Sequence, residues 1–159
     1  MIKRLFLVIL LVSGVAFAGD IGVNFSSWSQ SNNSSVWSLG YSFYANSNTT
    51  VIALGAYDYL NDGFAQPQQV GLWDASQNLL ASVYVTNGDT LIGYWRFHDI
   101  PGVSLTAGDL YYVASQGGEG YVWYSIGMTV APEITFNGDA WHYIGTGIND
   151  PLYLSLIHI

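Results

Sequence analysis

The stretch VIALGAYDYLNDGFAQPQQVGLWDASQNLLASVYV, residues 51–85, decides the fold class of this protein. Three β-type runs lie here, Thr50–Tyr57, Gln69–Asp74 and Leu79–Val85. A polar Asp/Asn/Gly/Pro loop separates the first two, and the tight turn of residues 75–78 separates the last two. Connections this short join neighbouring strands only when the chain reverses direction, so the stretch predicts an antiparallel sheet.

The flanking sequence repeats this pattern of short strands and turns. In Val36–Ala45 the apolar side chains alternate with small ones, which predicts a strand that buries one face. Leu79–Val85 is apolar on both faces, which predicts an inner strand covered on two sides. The other predictions are a polar loop at residues 29–35, strands at Ile21–Phe25, Leu91–Ile100, Val103–Leu105, Leu110–Ser115 and Tyr121–Ser125, and a hairpin over residues 132–144 with its turn at Asn137-Gly138.

About nine or ten short strands at intervals of about ten residues predict an all-β, antiparallel β-sandwich that is jelly-roll-like. The composition agrees, because aromatic residues make up 16% of the chain and charged residues only 9%. The chain contains no cysteine, so its core has to stabilise it without disulfides. We expect a single domain at residues 19–153.

Residues 1–18 have the three parts of a secretory signal peptide. Lys3 and Arg4 form a basic start, an apolar run extends to Val15, and Ala16-Phe17-Ala18 is a cleavage site of the A-x-A type. The alternative is an N-terminal membrane anchor, for which the apolar run is short. We therefore expect a secreted or cell-surface protein that has no transmembrane span after cleavage.

Removal of the signal peptide leaves Arg96 against eleven Asp and Glu residues, a net charge of 1 − 11 = −10. Such a chain lacks the Lys and Arg that neutralise phosphates, which argues strongly against nucleic acid as a partner. The acidity suits an extracellular protein or one that binds divalent cations. Arg96 lies on a predicted strand, where we expect it to pair with an Asp.

The last six residues, 154–159, have the sequence expected of a translated transposon-end sequencing adapter, and a technical scar is excluded from fold prediction. On this interpretation the natural C-terminus is missing. The alternative is a genuine apolar last strand, because the same residues also have a β-pattern.

Short motifs spread over residues 37–141 resemble a known family in their order and spacing. They are Gly40 to Phe43, Val51 to Asp58, Asp62-Gly63-Phe64, Val70 to Trp73, Leu79-Leu80-Ala81, Gly93 to Phe97, Val103 to Gly108, Tyr111-Tyr112-Val113 and Ala131 to Phe136. The family is a domain of unknown function that is common in secreted bacterial proteins, including exported proteins with Pro-Glu-Pro (PEP-CTERM) sorting tails. The resemblance implies a jelly-roll-like accessory module, and it implies no catalytic residues.

The loop that follows Tyr57 is the best candidate for a metal site. Asp58, Asn61 and Asp62 offer oxygen ligands within five positions, and Gly63 permits the sharp turn that would fold them around Ca²⁺. The alternating ligands and final glutamate of an EF-hand are absent, and Asp, Asn and Gly are also ordinary turn residues. Both interpretations stay open.

The 6 Trp and 12 Tyr residues exceed the needs of one small core. Tyr121, Trp123 and Tyr124 follow a glycine-rich turn, where exposed rings would stack on sugars, so they are the candidate ligand-binding residues. The alternative is that they are ordinary strand residues of a half-exposed sheet. Trp73 and Trp95 lie among apolar neighbours, and we expect both in the core.

The sequence gives little support to catalysis. Glu119 and Glu133 are the only glutamates, Glu119 lies in a glycine-rich turn, and His98 has no G-x-S-x-G elbow to serve. We expect a secreted or surface-displayed, non-enzymatic accessory or interaction module whose ligand the sequence does not identify, with extracellular polysaccharide and cell-surface components as candidate partners. A calcium-assisted, lectin-like carbohydrate-binding module is the alternative, and a glycan-active enzyme is a remote third.

Overall fold

The computed structural model describes residues 20–32, 37–116, 121–143 and 153–155, and within them the side chains of residues 20–28, 37–116 and 125–142. Thirteen strands and one short 3₁₀ turn, Tyr59–Asn61, lie in these ranges. The strands are β1 (Val23–Asn24), β2 (Ser27–Asn32), β3 (Trp37–Ala45), β4 (Thr49–Tyr57), β5 (Gln68–Asp74), β6 (Leu79–Val85), β7 (Thr90–Ile92), β8 (Trp95–Leu105), β9 (Leu110–Gln116), β10 (Tyr121–Ile126), β11 (Thr129–Val130), β12 (Ile134–Tyr143) and β13 (Tyr153–Ser155).

Six strands form the larger sheet, in the order β13-β12-β3-β9-β5-β6. Every neighbouring pair in this sheet is antiparallel. A tight turn joins β5 to β6, whereas β3, β9 and β12 come together from distant parts of the chain. Pairing of distant strands in this way is typical of Greek-key and jelly-roll sandwiches.

The smaller sheet contains β4, β8 and β7 in that order, again antiparallel. The main core lies between the two sheets. Phe43 of β3, Leu54 of β4 and Leu72 of β5 belong to one buried cluster, and none of them is exposed. Burial of each such side chain contributes about 1.5–3 kcal/mol. The predicted all-β, antiparallel sandwich is therefore confirmed.

Two pairs of short strands complete the fold. β1 pairs with β11, and β2 pairs with β10. In the N-terminal segment that carries β1 and β2, Val23 belongs to the main core, whereas Ile21 packs on the smaller sheet with Ile52 and Ile92 around the buried ring of Phe97. This segment is important for the site described below.

The three runs of residues 51–85 are strands where predicted, within one residue at each end. The prediction that they are neighbours is correct for β5 and β6 but wrong for β4 and β5. β4 lies in the smaller sheet and pairs with β8. The loop of residues 58–67 carries the chain from the smaller sheet to the larger one. Its ten residues are long enough for this, because packed sheets lie only about 10 Å apart.

β6 is an edge strand, so the prediction of an inner strand is wrong. Tyr84 is 59% exposed and Leu79 is 54% exposed, whereas Val85 at the end of the strand is fully buried. The apolar pattern of a strand shows which faces avoid water, but it cannot show whether another strand pairs with each edge.

The predicted strand Leu91–Ile100 is two strands. Gly93, with a φ of +62°, forms a two-residue turn with Tyr94 between β7 and β8. β8 then continues through Pro101-Gly102, where its register with β4 shifts, and Val103–Leu105 is the end of this strand rather than a separate segment. A bulge accepts proline because the bulged residue leaves the ladder of hydrogen bonds.

Two other local signals gave wrong predictions. Asn137-Gly138 is a bulge within the continuous strand β12, where the register with β3 shifts, and not the turn of a hairpin. The side-chain amide Nδ2 of Asn137 donates a 3.0 Å hydrogen bond to the Ser42 hydroxyl of β3. Residues 29–32, predicted as loop, belong to β2 and pair with β10. In both places pairing with a distant strand overrides the local preference.

Candidate functional site

Six aromatic rings gather at one end of the smaller sheet, outside the main core. Each ring centroid lies within 6.3 Å of at least two others, and all six side chains are partly exposed. We call this set the aromatic cluster, and its members are Phe25, Trp28, Tyr57, Tyr59, Tyr94 and Trp95.

Two strand ends provide the centre of the aromatic cluster. Tyr57 is the last residue of β4, Trp95 is the first residue of β8, and the two lie opposite each other in the antiparallel register. Their rings meet edge to face, with centroids 5.7 Å apart and an interplanar angle of 72°. A cross-strand aromatic pair of this kind stabilises a sheet by about 0.2–1 kcal/mol.

The connections next to these strand ends provide two more rings. Tyr59 lies in the 3₁₀ turn after β4, with its centroid 6.3 Å from that of Tyr57. Tyr94 lies in the β7–β8 turn, 6.2 Å from Tyr57. The tight turn at Gly93 is what brings Tyr94 back over the end of β4.

The N-terminal segment completes the aromatic cluster. The Phe25 ring lies 5.5 Å from Tyr57 and 5.7 Å from Trp95, and the Trp28 ring lies 4.9 Å from Tyr94. The indole Nε1 of Trp95 donates a 3.3 Å hydrogen bond to the Asn24 side-chain oxygen. These contacts hold the segment against the smaller sheet.

The arrangement of the rings determines what the aromatic cluster can bind. Phe25 and Tyr94 lie within 11° of parallel, whereas Trp28 meets Tyr57 at 84° and Tyr94 at 83°, so the aromatic cluster presents ring edges as well as ring faces and is not one flat platform. The ring surface is apolar, and the exposed polar residues Asn61 and Asp62 follow Tyr59 in the chain. It suits a ligand that has both C–H groups and hydroxyls.

The hydroxyl oxygen of Tyr57 is buried, and it has no hydrogen-bond partner among the described residues. Burial raises the pKa of this hydroxyl above its ordinary value, and the nearby Tyr59, Tyr94 and Asp58 raise it further. The group therefore stays protonated and neutral at any physiological pH.

Asp58 anchors the loop of residues 58–67, which follows Tyr57 and carries Tyr59. Its side chain is fully buried, and its Oδ2 accepts a 2.6 Å hydrogen bond from Arg96 Nε. Its Oδ1 accepts a hydrogen bond from the Gly63 amide at 3.0 Å, and its own amide donates to the Tyr94 carbonyl at 2.7 Å. The predicted ion pair of Arg96 with an Asp is therefore confirmed.

Arg96 connects this loop to the turn that follows β6. Its Nη1 donates a 3.0 Å hydrogen bond to the Asn87 carbonyl. The Asn87 side chain in turn accepts from the Phe64 amide at 2.6 Å and donates to the Phe64 carbonyl at 3.0 Å. Beside it, His98 Nδ1 lies 2.9 Å from Asp89 Oδ1. The Arg96 guanidinium thus joins the loop after β4 to the turn after β6.

The three predicted calcium ligands differ in their exposure to solvent. Asp58 is buried in its ion pair, whereas Asn61 and Asp62 are exposed. Among the residues whose side chains are described, no group of three His, Cys, Asp or Glu residues lies close enough to hold a metal ion. The calcium site stays a prediction, and its exposed part consists of Asn61 and Asp62.

Tyr121, Trp123 and Tyr124 lie on β10 as predicted, but their side chains are outside the described part of the structure. β10 pairs with β2, and Ser125 lies opposite Trp28 of the aromatic cluster.

Trp73 is buried as predicted. Trp95 is only partly buried: it packs against the small core cluster around Phe97, and its ring belongs to the aromatic cluster, so the prediction is confirmed only in part.

Analysis of the sequence missed the aromatic cluster as a site. The available signal is that Phe25, Tyr57 and Tyr94 each lie beside turn-forming residues. Nothing in their spacing indicates that these three parts of the chain meet.

Of the two glutamates considered for catalysis, the structure describes Glu133. One of its carboxylate oxygens is buried and has no hydrogen-bond partner among the described residues, and Glu119 lies outside them. Within the described ranges, no helix is long and apolar enough to cross a membrane.

Comparison with known proteins identifies a family. No curated protein and no solved structure matches the chain. A family model described as "Domain of unknown function (DUF4082)" matches residues 24–138, a range that includes the whole aromatic cluster. The resemblance to a domain of unknown function is thereby confirmed, although the match does not address export or a sorting tail. Since the match covers more than half of the 159 residues, the chain belongs to the DUF4082 family.

Proposed function

We propose that this domain is a secreted or surface-displayed, non-enzymatic binding module, and that its ligand is an uncharged glycan held on the aromatic cluster. The observation that carries the proposal is the gathering of six partly exposed rings outside the main core. Large rings stabilise a fold by leaving water. These rings keep part of their apolar surface in water, and a bound sugar would cover it.

The chemistry of sugars fits the surroundings of these rings. A pyranose presents C–H groups on its faces, which pack on aromatic rings, and hydroxyls around its edge, which need polar partners. Asn61 and Asp62 are exposed on the loop next to Tyr59 and supply such partners. Because the chain without residues 1–18 has a net charge of 1 − 11 = −10, it repels anionic polymers, which favours an uncharged ligand.

A second candidate function is an accessory module without a glycan ligand. In this case the aromatic cluster only attaches the N-terminal segment to the smaller sheet. The hydrogen bond from Trp95 to Asn24 favours this candidate, because it fixes the position of the segment without any ligand.

Affinity gel electrophoresis of the chain from Gly19 onward tests the two candidates. The gels contain a soluble neutral polysaccharide: hydroxyethyl cellulose, xyloglucan or galactomannan. We expect at least one of them to retard the wild type and to retard Trp28→Ala and Tyr94→Ala much less. Tyr84→Ala is the matched control, because Tyr84 is 59% exposed but lies on β6, outside the aromatic cluster.

Unchanged migration of the wild type in all three gels would contradict the glycan proposal and leave the second candidate. Equal loss of retardation in Tyr84→Ala would show that the effect is not specific to the aromatic cluster. A thermal melt of each variant confirms that it is folded.

Export is a separate part of the proposal, and it rests on the basic, apolar and A-x-A parts of residues 1–18. Expression of the full chain in a bacterial host, followed by mass spectrometry of the exported protein, tests it directly. We expect a mature chain that begins at Gly19. A chain that stays in the cell with residues 1–18 attached would contradict export.

A further inference from the structure

Leu60 is held in a backbone conformation that leucine rarely adopts. Its φ is +65° and its ψ is 2°, which is the left-handed region, and Asn61 follows with a φ of +58°. The Cβ of an L-residue makes this region costly compared with glycine. Burial does not offset the cost, because Leu60 is 59% exposed.

The other residues with positive φ show what the fold alone would select. Besides glycines, only Asn61 and Gln77 share this conformation with Leu60 in the described part of the chain, and both are polar. Gly63, three positions later, has a φ of +90°. Turn positions of this kind favour Gly or Asn, so an exposed leucine is the opposite of what stability and solubility favour.

Hydrogen bonds anchor the loop, so the left-handed conformation of Leu60 is not the result of a mobile loop. The Asp58 carbonyl accepts a hydrogen bond from the Asn61 amide at 3.1 Å, and the buried Asp58 carboxylate holds Gly63 on the other side. Tyr59, the residue before Leu60, contacts Trp28 at a centroid distance of 5.7 Å. Leu60 is therefore presented to solvent at a fixed place, one residue from the aromatic cluster.

We propose that Leu60 is a ligand-contacting residue, which adds an aliphatic side to the aromatic cluster and packs against the C–H face of a bound neutral sugar. The inference rests on the proposed glycan-binding function and extends the site to a residue outside the six rings. Strain at a loop residue next to a binding surface is a known trade of stability for function. Leu60 fits this pattern, because its backbone is strained and its apolar side chain is exposed to water.

The test uses two variants that suit the left-handed conformation and remove the apolar side chain. Leu60→Gly and Leu60→Asn are compared with the wild type in the polysaccharide gel that retards it most. We expect each variant to lose about five- to tenfold in affinity, the loss that corresponds to covering part of one leucine. We also expect Leu60→Gly to melt about 1–4 °C higher than the wild type, because the strain is relieved.

Leu79→Asn is the matched control for the loss of an exposed leucine. Leu79 is 54% exposed but lies on β6, and we expect the affinity of this variant to be unchanged. Wild-type affinity in both Leu60 variants would overturn the inference while the glycan proposal stands. A lower melting temperature of Leu60→Gly would overturn it as well, because Leu60 would then serve the fold. A wild type that no gel retards would refute the proposed function and this inference together.

Discussion

Arg96 Nε lies 2.6 Å from Asp58 Oδ2, and the Asp58 side chain is fully buried while that of Arg96 is 13% exposed. This ion pair joins the start of β8 to the loop after β4, and both segments carry rings of the aromatic cluster. Arg96 is also the only Lys or Arg after residue 4. The one Lys or Arg of the expected mature chain thus fixes the loop that carries Tyr59 of the aromatic cluster.

Removal of one partner of this pair is expected to destabilise the domain strongly. Arg96→Met leaves the buried Asp58 carboxylate without its counter-ion, and we expect the free energy of unfolding to fall by about 3–5 kcal/mol. Urea denaturation measures the loss. Asp58→Asn in the Arg96→Met background is the control, and it should recover part of the lost stability because the uncompensated charge is gone. An Arg96→Met protein as stable as the wild type would contradict the role given to the pair.

Tyr41→Phe is expected to stabilise the domain. Tyr41 is buried in the main core, and its hydroxyl has no hydrogen-bond partner among the described residues. An unsatisfied buried hydroxyl costs about 1–3 kcal/mol, so its removal should raise the free energy of unfolding by about 1 kcal/mol. Tyr111→Phe is the matched control, because the Tyr111 hydroxyl accepts a 2.9 Å hydrogen bond from the Thr106 amide, and its loss should destabilise. Urea midpoints that move in the same direction for both variants would contradict the argument.

Alkaline pH is expected to weaken the fold through two tyrosines. Burial raises the pKa values of Tyr41 and Tyr57 above the ordinary value of 10.0. The unfolded chain therefore loses these protons first, and the stability present below pH 10 declines as the pH rises past that value. The urea midpoint should decline less steeply above pH 10 in a Tyr41→Phe, Tyr57→Phe double variant than in the wild type. Equal slopes for the two proteins would contradict the assignment of the alkaline loss of stability to these two tyrosines.

Calcium is expected to have little effect on stability. The Asp58 carboxylate already accepts hydrogen bonds from Arg96 and Gly63, so Asn61 and Asp62 are the predicted ligands that stay exposed. Two side-chain ligands bind Ca²⁺ weakly. We therefore expect melting midpoints in about 1 mM CaCl₂ and in EGTA to agree within about 1 °C. A rise of several degrees that Asp62→Asn abolishes would establish a calcium site in this loop.

The edge strand β6 is expected to favour self-association. It carries no charged residue, and Leu79, Leu80 and Tyr84 are exposed on it. Natural edge strands usually carry a lysine, a proline or a bulge that blocks edge-to-edge pairing; β6 has a bulge at Leu80, where its register with β5 shifts, but it has no lysine or proline. We expect Ser82→Lys, a change on this strand, to lower light scattering of concentrated protein, with Ser82→Thr as the uncharged control. Equal scattering of the two variants would mean that association uses another surface.

The positions of most strands follow from the sequence, because they depend on local pattern. The alternation of Trp37, Leu39, Tyr41 and Phe43 predicted β3, and the turn after Asp74 predicted the β5–β6 hairpin. The same local pattern failed where a distant partner decides. Asn137-Gly138 has the sequence of a hairpin turn, but β3 pairs along the whole of β12 and turns it into a bulge.

The sequence by itself determined the fold class, the positions of most strands and the presence of one cation that needs an acidic partner, since these depend on residue types and short spacings. Tertiary structure alone decided that β4 lies in the smaller sheet and that Asp58 is the partner of Arg96. It alone also decided that Phe25, Tyr57 and Tyr94 meet at one end of the smaller sheet. Such contacts join residues far apart in the chain. Their formation depends on how the two sheets pack, which no local pattern records.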